Sequence, residues 1–321
     1  MRKALGRDVD LSEKDVVAKL KTFVAQKDAR RAHGDGVLIG LLGRGIQSSR
    51  TPAMHEREAV RLGLSYAYLL VDFDALGLSD GTLGAVLAAA ARLGFAGLNV
   101  THPFKQSIVA HLARLDPEAE AIGAVNTVVL RNGSASGHNT DSWGFAMSFR
   151  EGMAGCSLDR VVQFGAGGAG AAVAYALLDL GAADLIVLDS DPGKARDLAG
   201  RLAGRFGGRV RSAVADPAMV GTASGIINTT PVGMAKYPGV PFVADWLTPR
   251  QWVAEIIYFP EETELLRHAR KLGCRALSGT GMAIHQAVRS FELFTGIAAD
   301  PAAMAGHFVA ADKQPTTMGG L

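Results

Sequence analysis

Apolar residues fall into short, unbroken runs separated by stretches of helical spacing, and this alternation predicts the architecture. GVLIGLLG (36–43), SYAYLLVDF (65–73) and GFAGLNVT (94–101) read as buried strands. A helix is expected from Pro52, because Pro suits the first helical position and Thr51 can cap it. Residues 80–93 form an Ala/Leu-rich helix, and a third helix is expected from Pro103. Strand–helix alternation implies parallel strands joined by crossover helices. AVNTVVLRNGSASGHNT (124–140) breaks the rhythm and predicts a hairpin turning near Asn132-Gly133. A helix over Ser142–Glu151 then leads onward, crossing between domains.

A second alternating series begins at Arg160. RVVQF runs into a glycine-rich turn, followed by a helix over 168–180, the strand DLIVLDSD and a helix over 192–206. GIINTTP (225–231), WVAEIIYF (252–259) and CRALSG (274–279) are strand-like, and the chain from Gly281 is helical. Ahead of both series, residues 11–30 carry Val16, Val17, Leu20, Phe23 and Val24 at helical spacing, with Ser12 as a candidate N-cap. Residues 1–34 are therefore expected to be a helical extension, and the polar tail 313–321 is expected to be disordered. Two α/β domains with a cleft between them follow from the pattern.

The 321 residues, 48% of them hydrophobic, suffice for two ordinary cores. No apolar run is long enough to predict a transmembrane helix, and the opening MRKALGRDVDLSEKD lacks the apolar centre of a secretory signal. Two cysteines, Cys156 and Cys274, make no disulfide framework, and no Cys/His spacing suggests a metal site. A reducing, cytoplasmic setting is expected. The net charge of +2 is spread along the chain, which argues against a nucleic-acid surface while favouring an anionic small-molecule substrate.

Gly165-Ala166-Gly167-Gly168-Ala169-Gly170 satisfies G-x-G-x-x-G between a strand and a helix, the context a dinucleotide pyrophosphate needs. Asp189, 19 positions after Gly170, stands where an acid accepts hydrogen bonds from the adenosine ribose. A 2′-phosphate would meet Asp189 and Asp191 repulsively, and position 190 holds Ser rather than Arg, although Lys194 and Arg196 lie further on. NAD is expected over NADP. Both aspartates would also serve as caps or turn formers.

Three further clusters carry polar chemistry. Ser48-Ser49-Arg50-Thr51-Pro52 sets hydroxyls at a helix start, where they would bind a carboxylate or simply cap. Asn99 and Thr101 stand at the C-terminal end of a strand, where open α/β sheets bind ligands, and Lys105 follows one helical turn later; a lone Lys of this kind is ordinarily a surface residue. Asn126-Thr127 and Asn139-Thr140-Asp141 form the third cluster, with Asp141 also a candidate N-cap. Together they suit oxidation of a carbinol: Lys takes the hydroxyl proton, Asp orients it, and Asn side chains meet a polyol with donors and acceptors.

In this order, Ser49-Arg50-Thr51-Pro52, NVTHPFK (99–105), GAVNT (123–127), NTD (139–141), GAGGAG (165–170), NTTPVGM (228–234) and GMAIHQA (281–287) closely resemble the shikimate/quinate dehydrogenase family. The resemblance covers residues from about 37 to about 297. It implies an α/β fold with a substrate domain over 35–140 completed by C-terminal helices (283–312), and a Rossmann-type NAD-binding domain over 141–282. It implies Lys105 and Asp141 as the catalytic pair, and Ser49 and Thr51 at the substrate carboxylate with Tyr258 nearby. Asn99, Thr101, Asn126 and Gln286 would hold ring hydroxyls, while Thr229, Gly233, Met234 and Gly279 would border the cofactor. Thr51 stands in place of the usual second Ser, Glu56 in place of an Asn, and Asp189-Ser190-Asp191 in place of an Asn-Arg-Thr NADP signature. These departures resemble the NAD-dependent branch, which oxidises shikimate to 3-dehydroshikimate and quinate to 3-dehydroquinate. An NADPH-dependent biosynthetic enzyme, a dehydrogenase of an aminoshikimate analogue and a non-catalytic metabolite sensor are the alternatives. A homodimer is expected from the family alone.

Overall fold

A computed structural model describes residues 13–27 and 36–310. In chain order its elements begin with α1 (Glu13–Lys27), β1 (Val37–Gly43), α2 (Thr51–Arg61), β2 (Tyr66–Asp72), α3 (Leu83–Arg92), β3 (Gly97–Val100), β4 (Arg114–Leu115), α4 (Pro117–Ile122), β5 (Thr127–Arg131) and β6 (Ser134–His138). They continue with α5 (Thr140–Gly152), β7 (Arg160–Phe164), α6 (Gly168–Asp179), β8 (Asp184–Leu188), α7 (Pro192–Phe206), β9 (Val210–Ser212), α8 (Pro217–Gly221), β10 (Gly225–Asn228), β11 (Trp252–Glu255), α9 (Glu264–Lys271), β12 (Arg275–Leu277), α10 (Thr280–Thr295) and α11 (Pro301–Ala310). None of the described helices is long and apolar enough to cross a membrane. The chain divides into two compact units. One holds the described residues up to Asp116, Val125–His138 and those from Ser290 onward; the other holds Pro117–Ala124 and Asn139–Arg289. The boundaries expected after residues 140 and 282 compare with observed ones after His138 and Arg289.

The first unit is built on a six-stranded mixed sheet, β2-β1-β3-β5-β6-β4. β1 lies parallel to β2 and β3, whereas β3, β5 and β6 run antiparallel. The hairpin turns as expected at Asn132-Gly133, both at positive φ (52° and 73°), the geometry whose twist matches paired strands. The C-terminal helices return to this unit. An added Cβ at Gly97 would lie 2.3 Å from the Phe294 ring, so α10 seats an aromatic directly on β3. α11 reaches α2, where the Arg57 guanidinium donates to the His307 carbonyl (3.4 Å) and Arg50 stacks 5.1 Å from the Phe308 ring centre.

The second unit holds an all-parallel sheet in the order β12-β11-β10-β7-β8-β9. The winding reverses between β7 and β10, and the crevice at their carboxyl ends is where sheets of this order bind dinucleotides. All four residues of β10 and all four of β11 are buried, as a sheet covered on both faces requires.

Several expectations change. Thr51 lies inside α2, and Arg50 holds the cap position without a side-chain cap bond. No α-helix follows Pro103; the chain makes turns and a short 3-10 helix, Ser107–His111. The reason is that the Lys105 carbonyl accepts the Val125 amide (2.7 Å), which removes it from any i→i+4 ladder. Asn139, not Asp141, caps α5, accepting from the Asp141 and Ser142 amides. The strands expected over 225–231 and 252–259 stop at Asn228 and Glu255. The candidate cap Ser12 and the tail 313–321 lie outside the described residues.

Candidate active site

In the first unit Asn99 and Asn126 come together where the carboxyl end of β3 meets the amino end of the antiparallel β5. β3 ends beside Asn99, and β5 opens after Asn126. Their side chains are joined: the Asn99 amide donates to Thr127 Oγ1 (3.1 Å) and to the Asn126 carbonyl (3.4 Å). Thr127 Oγ1 donates to Asn126 Oδ1 (3.1 Å), and the Tyr68 hydroxyl donates to Asn99 Oδ1 (2.7 Å). Thr101 is held next to β1, because a Cβ at Gly43 would collide with the Thr101 methyl at 2.4 Å. Lys105 is half-buried in the turn beyond it.

Ser49 sits on the loop leaving β1, and Thr51 opens α2 directly after it. This loop is organised by Asp72, a residue the motifs did not reveal. The Asp72 carboxylate accepts from the Gly45 amide (3.0 Å), the Ile46 amide (3.2 Å), Gln47 Nε2 (2.8 Å) and the Asp74 amide (3.1 Å). Burial pushes its carboxyl up, but these four donors outweigh burial and hold it below the usual range. An acid closing an apolar strand, as in LLVDF, was the available signal. Beneath α2, His55 Nδ1 meets the Tyr66 hydroxyl at 2.9 Å, and complete burial lowers the imidazole pKa to about 3.

In the second unit, Gly165 has φ +105°, and a Cβ there would meet Thr229 Oγ1 at 2.6 Å. A Cβ on Gly170 would lie 2.4 Å from the Gly165 carbonyl oxygen, whereas nothing lies within 4 Å of one on Gly167. The first and third glycines are thus needed for packing, and the second leaves the backbone open at the start of α6. That combination fits a pyrophosphate at a helix N-terminus. Thr229 Oγ1 donates to the Phe164 and Gly165 carbonyls (2.8 and 2.9 Å), and Gln163 Nε2 donates to Gly165 and Gly170 (2.8 Å each). Asp189 closes β8 with its Oδ2 on the Ala166 amide (2.8 Å) and its Oδ1 on the Asp191 amide (2.9 Å). Asp191 caps α7 through the Gly193 amide (2.9 Å).

The segment carrying Gly233 and Met234 is set by Asn228, whose Nδ2 donates to the Val232 carbonyl (2.8 Å) and to buried Glu255 (2.9 Å). Burial pushes the Glu255 carboxyl up against the hydrogen bonds from Asn228 and Thr263. Met234 is exposed and Tyr258 barely so. Gly279 crosses against the 256–257 backbone, its would-be Cβ 2.2 Å from Ile256. Asp141 lies in the first turn of α5, and Gln286 lies on α10, which approaches α5 so closely that a Cβ on Gly144 would be 2.7 Å from the Gln286 nitrogen. Lys105 and Asp141 are carried by different units.

The model of the shikimate dehydrogenase substrate binding domain matches residues 41–128, and that of the shikimate 5′-dehydrogenase C-terminal domain matches residues 279–306. A shikimate dehydrogenase (NADP(+)) of Streptomyces avermitilis is 55% identical over 265 residues, 82% of this chain and 91% of the relative. A quinate/shikimate dehydrogenase (NAD(+)) of Corynebacterium glutamicum strain R is 45% identical over 282 residues, 86% of this chain and 99% of the relative. The structure of quinate dehydrogenase from Corynebacterium glutamicum in complex with NAD superposes with a TM-score of 0.81 at 44% identity, covering 86% of this chain and all of that one.

Proposed function

The chain belongs to the shikimate/quinate dehydrogenase family of NAD(P)-dependent oxidoreductases acting on CH–OH groups, and within it we propose an NAD-dependent quinate/shikimate dehydrogenase. The observation that carries the choice of NAD is Asp189. Its carboxylate is fixed at the end of β8 on an amide of the glycine turn, where it suits ribose hydroxyls and opposes a 2′-phosphate. The Corynebacterium relatives, named as NAD enzymes, support the reading.

The bound dinucleotide would supply the hydride acceptor, its nicotinamide C4. Lys105 takes the proton of the carbinol as the alcohol becomes a ketone, and Asp141 is the carboxylate that serves with it. Ser49 and Thr51 receive the substrate carboxylate near Tyr258, and Asn99, Thr101, Asn126 and Gln286 bind ring hydroxyls. Thr229, Gly233, Met234 and Gly279 line the cofactor side. Asp72 fixes the Ser49 loop before substrate arrives, so less of the binding energy is spent on ordering it.

A second reading, an NADP-dependent shikimate dehydrogenase, is favoured by the Streptomyces avermitilis relative. Asp189 would then only brace the turn, with Lys194 and Arg196 meeting the phosphate. Initial rates with quinate and shikimate, each with NAD and NADP, separate the two. Turnover of both acids with NAD supports the first; turnover of shikimate with NADP alone overturns it.

A further inference from the structure

We propose that Tyr68 and Thr127 are positioning residues that hold Asn99 and Asn126 in single amide orientations, through a one-way hydrogen-bond chain beneath the substrate's ring hydroxyls. The inference deepens the function proposed above and rests on it for the identity of the ligand.

An asparagine amide can rotate by half a turn at little steric cost, exchanging a donor for an acceptor. A polyol site therefore needs something to choose between the two orientations. Here the choice is forced in sequence. Asn99 Oδ1 can only accept, so the Tyr68 hydroxyl must give it its proton. Burial pushes the Tyr68 phenol well above its ordinary pKa, so that proton stays in place. Asn99 Nδ2 can only donate, so Thr127 Oγ1 accepts from it. Thr127 has one proton, and it goes to Asn126 Oδ1. The chain runs Tyr68 → Asn99 → Thr127 → Asn126; reversing it would turn Asn99 Oδ1 toward the Asn126 main-chain carbonyl, which can only accept and which Asn99 Nδ2 now meets at 3.4 Å.

Tyr68, Asn99, Asn126 and Thr127 are exposed by 5%, 4%, 3% and 0% respectively. Bulk water is thus poorly placed to replace a missing link, and a broken link takes a hydrogen bond away from a buried polar atom. The chain also joins three strands: Tyr68 is on β2, Asn99 on β3 and Thr127 on β5. The orientation of both amides is consequently built into the sheet before any ligand binds.

The test compares Thr127→Val, which deletes the proton, with Thr127→Ser, which keeps it, and adds Tyr68→Phe at the head of the chain. Thr127→Val and Tyr68→Phe should raise KM for the acid about tenfold or more while KM for the dinucleotide stays within about twofold, and Thr127→Ser should stay near wild type. Equal losses in the Val and Ser variants, or an unchanged KM for the acid in both Thr127→Val and Tyr68→Phe, would overturn the chain. Side-chain amide NMR of the ligand-free protein gives a readout independent of activity, since the sequence has only five asparagines. The NH2 pairs of Asn99 and Asn126 should be protected from solvent exchange in wild type and Thr127→Ser and lose that protection in Thr127→Val, while those of Asn139 and Asn228, buried and bonded elsewhere, stay protected in all three. Wild-type protein that turns over no cyclic acid would refute the proposed function, and the NMR comparison would then decide the chain alone.

Discussion

Lys105 is tied into the fold by its backbone carbonyl, which holds the Val125 amide, so truncating its side chain leaves that tie intact. Lys105→Ala should lower kcat by about 10²–10⁴-fold, the range for removing a general acid–base, with an unchanged circular dichroism spectrum; a fully active variant would remove Lys105 from the mechanism. Asp189 is bound differently, because both its oxygens accept backbone amides. Asp189→Ser should cut the NAD-to-NADP ratio of kcat/KM by about tenfold, roughly the loss of one good charged hydrogen bond. An unchanged ratio would confine Asp189 to bracing the turn. Most of the residues proposed to carry the chemistry, Lys105 and Asp141 among them, were legible because each lies within a short motif. Tyr68 was not: it meets Asn99 from 31 positions away and from a strand that is not its neighbour, with β1 between them. No spacing rule along the chain encodes a contact made across an intervening strand.

The loop that leaves β1 depends on one side chain at the end of β2. Asn at position 72 would turn an NH2 group toward two backbone or side-chain donors, wherever it rotated, because each Asp72 oxygen accepts from two of them. Asp72→Asn should therefore cost about 1–3 kcal/mol of stability and raise KM for the acid more than for the dinucleotide; equal effects on both would deny the loop its role. Asp72 has a lowered folded-state pKa, so its contribution is present above the ordinary carboxylate pKa and fades as pH falls through the lowered value. Helix α7 was legible to the residue, because Asp191 caps it and Pro192 occupies its first turn. The helix expected at Pro103 failed because a carbonyl was claimed from 20 positions away. Helix α9 escaped notice because it is eight residues long and mostly charged, with a buried stripe of only Leu265, Leu266 and Ala269.

For the molecule as a whole, acid stability should bear the mark of His55. Its folded-state pKa of about 3 lies below the ordinary 6.5, so the folded state binds fewer protons than the unfolded state between those values. The stabilisation is complete above pH 6.5 and is lost as pH falls toward 3, by an amount on the order of a few kcal/mol. Denaturant midpoints should decline across that window, and His55→Gln should be less stable at pH 7 yet show a shallower decline; parallel curves would refute the assignment. Two α/β units were legible from strand–helix alternation, and the dinucleotide sheet from one glycine turn in context. The mixed order of the first sheet was only partly legible, since alternation suggests parallel strands and only the Asn132-Gly133 turn signalled otherwise.

The first unit is assembled from segments that lie on both sides of the second. During synthesis β1, β2, β3, β5 and β6 emerge early, but Phe294, which lies on β3 at Gly97, and α11, which packs on α2, are made much later. At ordinary translation speeds, the 172 residues that follow His138 as far as Ala310 take about 10–30 s to be made. Most of that interval is spent making the second unit itself, contiguous except for Pro117–Ala124, and that unit can begin to fold while the first still lacks its C-terminal segment. Chain synthesis thus sets the earliest moment at which the first unit can be completed, whatever the height of its folding barrier.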